Sequence, residues 1–161
     1  MYFIRTIQPQ DNPHIAKIIR EVSVEFALAA ESGFAVADPI LDQLYDVYTK
    51  PHSIYWVISN DQHEVFGGGG IAPLLGHENT LEIQKMYFMP SIRGLGFAKQ
   101  ILEKCIQFAR DQSYTQIYLE TTASLWQAVK LYEKLGFQHL QHPLGNTGHS
   151  DACEIRMLKV L

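Results

Sequence analysis

Two hydrophobic rhythms alternate along the chain. Between Asn12 and Phe26 apolar residues recur at helical spacing, at Ile15, Ile18, Ile19, Val22 and Phe26, the stripe of an amphipathic helix. Asn12-Pro13 opens it, with Asn12 expected as the N-cap and Pro13 at the first helical position. Asp38-Pro39 opens a second, shorter helix with Leu41, Leu44, Tyr45 and Tyr48 on one face. Ala98, Ile101, Leu102, Cys105, Ile106 and Ala109 mark a third, and Leu125, Ala128, Val129 and Tyr132 a fourth. For the fourth, Ser124 and Gln127 have the spacing of a capping box and Gly136 the place of a C′ residue. Strand patterns occupy about 2–7, 53–59, 64–72, 80–89 and 115–119, with two more near 137–141 and 152–159. Asn60-Asp61 reads as a hairpin-type connection. The order predicts one α/β (α+β) domain over 1–161, a central sheet of about seven strands flanked by about four helices.

Composition narrows the class. At 47% hydrophobic and 19% charged residues the chain is an ordinary globular sequence. No apolar run approaches the ~18 residues of a membrane-crossing helix, and the first residues lack the pattern of a signal peptide. Cys105 and Cys153 make neither a disulfide framework nor a four-ligand zinc site, so the expected compartment is a reducing cytoplasm. A net charge of −4 argues against nucleic acid as partner. The charge is uneven: Asp11, Glu21, Glu25, Glu31, Asp38, Asp42 and Asp46 leave residues 11–48 at net −5, whereas residues 81–112 stand at net +2. Solvated helix faces account for this, or an anion held by the second segment and a cation approaching the first.

The most informative stretch is strand, glycine turn, helix: Met86-Tyr87-Phe88-Met89-Pro90-Ser91-Ile92-Arg93-Gly94-Leu95-Gly96-Phe97-Ala98. Small residues at 94, 96 and 98 let a ligand approach the backbone, and the helix that follows leaves its first amides unpaired at its positive dipole end. That is an anion site suited to a phosphate or diphosphate. A dinucleotide fingerprint fails because position 99 is Lys, and no P-loop is present. The run Gly67–Gly70 sits in a strand and reads as a bulged or closely approached one.

Arg-x-x-Gly-x-Ala at 93–98 resembles the acyl-CoA diphosphate loop of the GNAT superfamily of N-acetyltransferases. A second match at the superfamily's spacing is Ala128-x-x-Leu131-Tyr132-Glu133-Lys134-Leu135-Gly136-Phe137. The resemblance implies a mixed, mostly antiparallel sheet splayed between its fourth and fifth strands. It also implies an acyltransferase that moves the acetyl group of acetyl-CoA to a primary amine, with no metal. Arg93, Gly94, Leu95, Gly96, Phe97 and Ala98 would hold the diphosphate through backbone amides. Met86, Tyr87 and Phe88 would run beside the pantetheine arm, and a backbone N–H near Phe88 would face the thioester oxygen. Tyr132 matches the family's acid for the departing thiolate; on its own stripe it also reads as a core tyrosine. Where many members carry Asn, seven residues before that tyrosine, this chain has Leu125.

An ammonium of pKa about 10.4 must lose a proton before it attacks. Glu82 falls where the histone-acetylating branch carries its base, and Glu120 where the branch acetylating ribosomal-protein N-termini carries its own; either also reads as a solvated strand-end charge. Neither cysteine has an evident activating partner, which favours direct attack in a ternary complex over an acyl-enzyme. The acidic segment favours a cationic acceptor, such as a polyamine, an amino sugar or a peptide amine. His139, His142 and His149 lie in a tail loop whose spacing matches no metal pattern. With the loop at about 28–38, that tail borders the acceptor side in the family. A homodimer is a common state among relatives. A catalytically idle acyl-CoA-binding module is the alternative from another class; it needs the 93–98 loop but not Glu82, Glu120 or Tyr132.

Overall fold

The computed structural model describes residues 1–28 and 33–161 of the chain. Seven strands form one sheet: β1 (Tyr2–Thr6), β2 (Ile54–Asn60), β3 (Val65–Pro73), β4 (Thr80–Phe88), β5 (Gln116–Thr121), β6 (Gln138–Leu140) and β7 (Ile155–Val160). Their spatial order is β1-β2-β3-β4-β5-β7-β6. Every neighbouring pair is antiparallel except β4 and β5. Among the described residues four α-helices accompany it: α1 (Asn12–Glu25), α2 (Leu44–Tyr48), α3 (Phe97–Asp111) and α4 (Trp126–Lys134).

The stripes read from sequence become two cores, one on each face of the sheet. Ile15, Ile18, Ile19 and Val22 of α1 pack with Leu41, Leu44 and Tyr48 against Tyr55 and Val57. Ile101, Leu102, Cys105 and Ile106 of α3, with Val129 and Tyr132 of α4, close the other face over Ile58, Leu81, Ile83 and Ile117. Each fully buried Ile or Leu contributes about 1.5–3 kcal/mol of transfer free energy, so the helix stripes set which face of each strand points inward.

Several local expectations gave way to tertiary contacts. Asn12 is the first helical residue of α1, not its cap; its side-chain oxygen accepts the Tyr45 N–H at 2.8 Å and ties α1 to α2. The second helix is broken into a 3-10 turn, Leu41–Gln43, and the five-residue α2. Asp38 accepts the Ile40 N–H at 3.0 Å in front of it, and Gln43 has a non-helical φ of −128°. Ser124 and Gln127 form no capping box. Glu154, from the tail, instead accepts the Thr122 hydroxyl at 2.8 Å and the Ala123 N–H at 2.7 Å. The last strand starts late because the Ala152 and Cys153 amides turn back to the His149 carbonyl, both at 3.1 Å.

The glycine run is a closely approached strand. A Cβ on Gly68 would lie 2.5 Å from the Trp56 carbonyl oxygen and 2.6 Å from the Tyr55 ring, and one on Gly70 would lie 2.6 Å from that ring. Opposite Gly69 the β3–β4 register slips, leaving Lys85 and Met86 against one residue. Lys85 takes φ +50° there, the extra residue of a β-bulge. The Tyr55 hydroxyl holds the bulge by donating to the Lys85 carbonyl at 2.7 Å.

Candidate active site

β4 and β5 pair only from Thr80–Gln116 to Glu82–Tyr118. Beyond Glu82 the strands part, and β5 continues with β7 as its partner as far as Thr121–Ile155. Two clefts open at this split. One, of about 810 Å³, is lined by Val22 of α1 and Phe26 just beyond it, by Met86–Phe88, by the turn before α3 and by the start of α4. The other, of about 470 Å³, is lined by Asp38, Gln84, Lys85, Glu120, Thr147, His149 and Cys153. Met86, Tyr87, Leu125 and Tyr132 line both, so the two clefts share a wall at Tyr132.

Arg93, Gly94, Gly96, Phe97 and Ala98 line the larger cleft, whereas Leu95 turns outward at 55% exposure. Gly94 and Gly96 take φ +76° and +86°, a region that favours glycine, and a Cβ on either would meet nothing within 4 Å. The first bond closing α3 runs from the Gln100 N–H to the Gly96 carbonyl, so the Phe97, Ala98 and Lys99 amides have no acceptor within the helix. Arg93 is already engaged. Its guanidinium makes two 2.6 Å bonds to Glu25, lies over the Phe26 ring, and donates through Nε to the Phe88 carbonyl at 3.0 Å. Lys99 and Lys134, which sequence reasoning passed over, also line this cleft.

Tyr132 is buried, its hydroxyl 4.0 Å from the Met86 sulfur. Burial, reinforced by Cys105 and Tyr87, holds the phenol well above the ordinary tyrosine range, so it keeps its proton at any working pH. Leu125, standing where relatives often have Asn, contributes an apolar wall to both clefts.

Glu82 and Glu120 meet on the smaller-cleft side of the split, in contrasting environments. Both Glu120 oxygens are occupied. Oε2 accepts the Tyr118 and Ser150 hydroxyls at 2.6 Å each, and Oε1 accepts the Thr147 hydroxyl. Glu82 is 3% exposed; Oε1 takes the Gln84 amide at 2.5 Å and Oε2 has no hydrogen-bond partner among the described residues. Burial lifts its pKa to about 7, with Glu120 adding to the rise against the Gln84 bond and Lys85.

His149 stands between the two, with Nδ1 3.5 Å from Glu120 Oε1 and Nε2 3.9 Å from Glu82 Oε2. Burial is the main cause that lowers its pKa. The other tail histidines go elsewhere: His139 faces Glu133 at 3.1 Å, and His142 is exposed. Glu82, Glu120 and His149 each bring one ligand atom within 4.8 Å of the others. The ring, however, offers a different nitrogen to each carboxylate, neither in a formed hydrogen bond, and Glu120 already accepts three hydroxyls, so the three groups do not converge on one point as ligands of a shared ion would.

The structure thus brings Tyr132, Met86, Tyr87 and the 93–98 turn to one cleft and both carboxylates to the other side of the split. His149 could not be picked out by spacing, since its partners lie 29 or more residues away. The acids of residues 11–48 are largely spent on structure: Asp11, Glu21, Glu25, Asp38 and Asp42 pair with Arg5, Lys17, Arg93, Lys85 and Arg20. Glu31 and part of the 28–38 loop lie outside the described residues.

Comparison with known proteins supplies the family. The acetyltransferase (GNAT) family model matches residues 19–137. An uncharacterized N-acetyltransferase of Escherichia coli (strain K12), YjgM, is 52% identical over 159 residues, covering 98% of this chain and 94% of its own. A GNAT-family acetyltransferase of Staphylococcus aureus Mu50 superposes with a TM-score of 0.87 at 20% identity, covering 100% of this chain and 99% of its own. A spermidine N-acetyltransferase of Vibrio cholerae, in complex with CoA and spermine, superposes with a TM-score of 0.66 at 18% identity over 99% and 95% of the two chains. Among the described residues no helix is long and apolar enough to cross a membrane. With a sheet splayed after Glu82, a glycine turn ahead of α3 and these matches, the chain belongs to the GNAT family of N-acetyltransferases.

Proposed function

We propose that this protein transfers the acetyl group of acetyl-CoA to a primary amine by direct attack within a ternary complex. The observation that carries the reading is the shared wall: a thioester lying in the larger cleft and an amine entering the smaller one would meet at Met86, Tyr87 and Tyr132. The larger cleft suits the cofactor. Its turn offers the free amides of Phe97, Ala98 and Lys99 to a diphosphate, with the Lys99 and Lys134 charges at its mouth. The glycines leave open space where a Cβ would intrude. From Ile83 to Phe88, β4 has no strand partner on its β5 side, an edge along which the amides of the pantetheine arm would pair. Arg93, fixed to Glu25 and the Phe88 carbonyl, shapes this turn from behind.

In the reaction, the amine nitrogen forms a bond to the thioester carbon, and a backbone N–H near Phe88 stabilises the oxyanion. Collapse breaks the C–S bond, and Tyr132, protonated in its buried position, gives its proton to the departing thiolate. Of the two carboxylates we assign the base to Glu82. Its Oε2 is free and its pKa lies near neutrality, whereas both Glu120 oxygens already accept hydroxyls. Direct attack is favoured because burial pushes the Cys153 thiol up to about 12 and raises that of Cys105 as well; neither is a nucleophile near neutral pH. The acceptor is proposed to arrive as a cation drawn by Glu82 and Glu120, since the acids of 11–48 are mostly neutralised within the fold. The test is CoA thiol release across polyamines, amino sugars, amino acids and peptides, with wild type beside Tyr132→Phe. Acceptor-dependent release that falls about 10-fold or more in the variant at unchanged acetyl-CoA affinity is expected; no release with any amine while acetyl-CoA binds would overturn the reading.

A further inference from the structure

Glu82 is placed badly for a base that must touch its substrate. Its side chain is 4% exposed and it does not line the acceptor cleft. What lines the cleft in front of it is His149, whose side chain keeps 23% exposure although its Nδ1 is fully buried. The solvent contact therefore belongs to the rest of the ring, on the side away from Glu120. We propose that His149 is a proton shuttle, taking the proton of the acceptor amine at Nε2 and delivering it to Glu82. This rests on the acetyl-transfer reading above, with Glu82 as the final proton acceptor.

The loop around His149 is built to hold the ring in place between the two carboxylates. The Thr147 and Ser150 hydroxyls clasp Glu120, Tyr118 donates to the same carboxylate, and the Tyr118 hydroxyl accepts the Leu144 N–H at 3.1 Å. The loop is pinned again where the Asn146 N–H donates to the Leu75 carbonyl at 2.6 Å. Glu120 Oε1, which accepts the Thr147 hydroxyl, lies 3.5 Å from Nδ1 without forming a hydrogen bond to it; a carboxylate oxygen on that side favours the neutral ring carrying its hydrogen on Nδ1 and leaves Nε2 as the acceptor. Nε2 then faces Glu82 Oε2 across 3.9 Å. A ring movement of about 1 Å closes that gap to hydrogen-bond range.

The step balances. An N–H bond of the acceptor ammonium breaks and Nε2–H forms, giving an imidazolium between two carboxylates. That N–H then breaks as O–H forms on Glu82 Oε2, and the ring returns to neutral; Glu82 loses the proton to solvent by the reverse path between turnovers. The groups facing the ring act in opposite senses. Burial and Lys85 favour the neutral ring, while Glu120 and Asp38 favour the imidazolium. A ring poised this way holds a proton transiently.

The test uses His149→Ala and His149→Gln in the full chain, with thermal melts confirming that both fold. At saturating acetyl-CoA, kcat is expected to fall about 10-fold or more in both. Added imidazoles should restore His149→Ala in proportion to their basicity, a dependence that refilling a hole would not produce. Nitrogen-15 spectra of the histidine rings should show Nε2 unprotonated at neutral pH, with a His149 titration that shifts in Glu82→Gln. An active wild type matched by His149→Ala sinks the shuttle alone, as does a slow variant that no base restores, or a resting ring protonated on Nε2. A wild type that releases no CoA with any amine takes down the acetyl-transfer reading, and the shuttle falls with it.

Discussion

Replacing Glu82 by Gln should separate what this residue does from what it costs. Burial is the chief reason its pKa rises from an ordinary 4.5 to about 7. A carboxyl that binds its proton more tightly folded than unfolded stabilises the fold fully only below the unfolded value. That stability is lost as pH climbs through the folded one. The window here is therefore about pH 4.5 to about pH 7, and above it the ionised Glu82 costs the fold about 3 kcal/mol relative to a group with no shift. Gln has nearly the same shape, can keep the contact with Gln84 and has no charge to bury. The variant should match wild type near pH 4.5 and be more stable by up to about 3 kcal/mol near pH 8.5, a Tm gain of roughly 6–12 °C for a domain of this size. Acetyl transfer should meanwhile fall by about 100-fold or more, and the wild-type rate should rise with pH through about 7. Urea melts and CoA release, both run between about pH 5 and about pH 8.5, read the two effects together. A stability difference that does not change with pH, or a variant less stable at the alkaline end, would refute the placement of a buried titrating carboxyl. An unchanged rate would refute its role as base.

Two further substitutions probe the scaffold. Gly96→Ala meets no steric neighbour but must hold φ +86°, so it should cost about 1 kcal/mol in stability and raise the KM for acetyl-CoA as the turn reshapes; an unchanged KM would detach this turn from cofactor binding. Gly70→Ala would set a Cβ 2.6 Å from the Tyr55 ring, 2.8 Å from the Ile54 carbonyl oxygen and 3.0 Å from the Tyr48 ring, and should lose at least about 2 kcal/mol in urea melts, a loss under about 0.5 kcal/mol counting against the close approach.

What could be read from sequence was what neighbouring residues decide. The 93–98 turn and the Tyr132 stripe are contiguous patterns, and the structure puts both on one cleft. The order and number of strands followed from alternation and turn residues, and so did the stripes of α1, α3 and α4. Capping chemistry failed where a distant residue competed. The Asn12 side-chain oxygen, expected to cap its own helix, accepts the Tyr45 N–H 33 residues away. Charge failed for the same reason, because the net −5 of residues 11–48 says nothing about the three cations from outside it, Arg5, Lys85 and Arg93, that fold back onto it. His149 was invisible because a histidine among glycines, serines and threonines has no periodicity, and its meaning comes from two carboxylates on separate strands.

The glycine run and the buried carboxylate belong to one mechanical chain. Without side chains at Gly68 and Gly70, the rings of Tyr55 and Tyr48 lie against the backbone of β3. From there the Tyr55 hydroxyl reaches the Lys85 carbonyl and stabilises the bulge at φ +50°, which re-aims Met86 and Tyr87 into the split. The Tyr48 hydroxyl donates to Gln84 Oε1 at 2.8 Å, and the Gln84 amide donates in turn to Glu82 Oε1. With Oε1 fixed this way, Oε2 is the oxygen left facing His149. A tyrosine pair seated on two glycines thus supports both the strand that would carry the thioester and the carboxyl proposed to receive the proton. Gly68 and Gly70 therefore bear on the chemistry although neither lines either cleft: filling that space should disturb KM for acetyl-CoA and the pH dependence of the rate together, through a shared support.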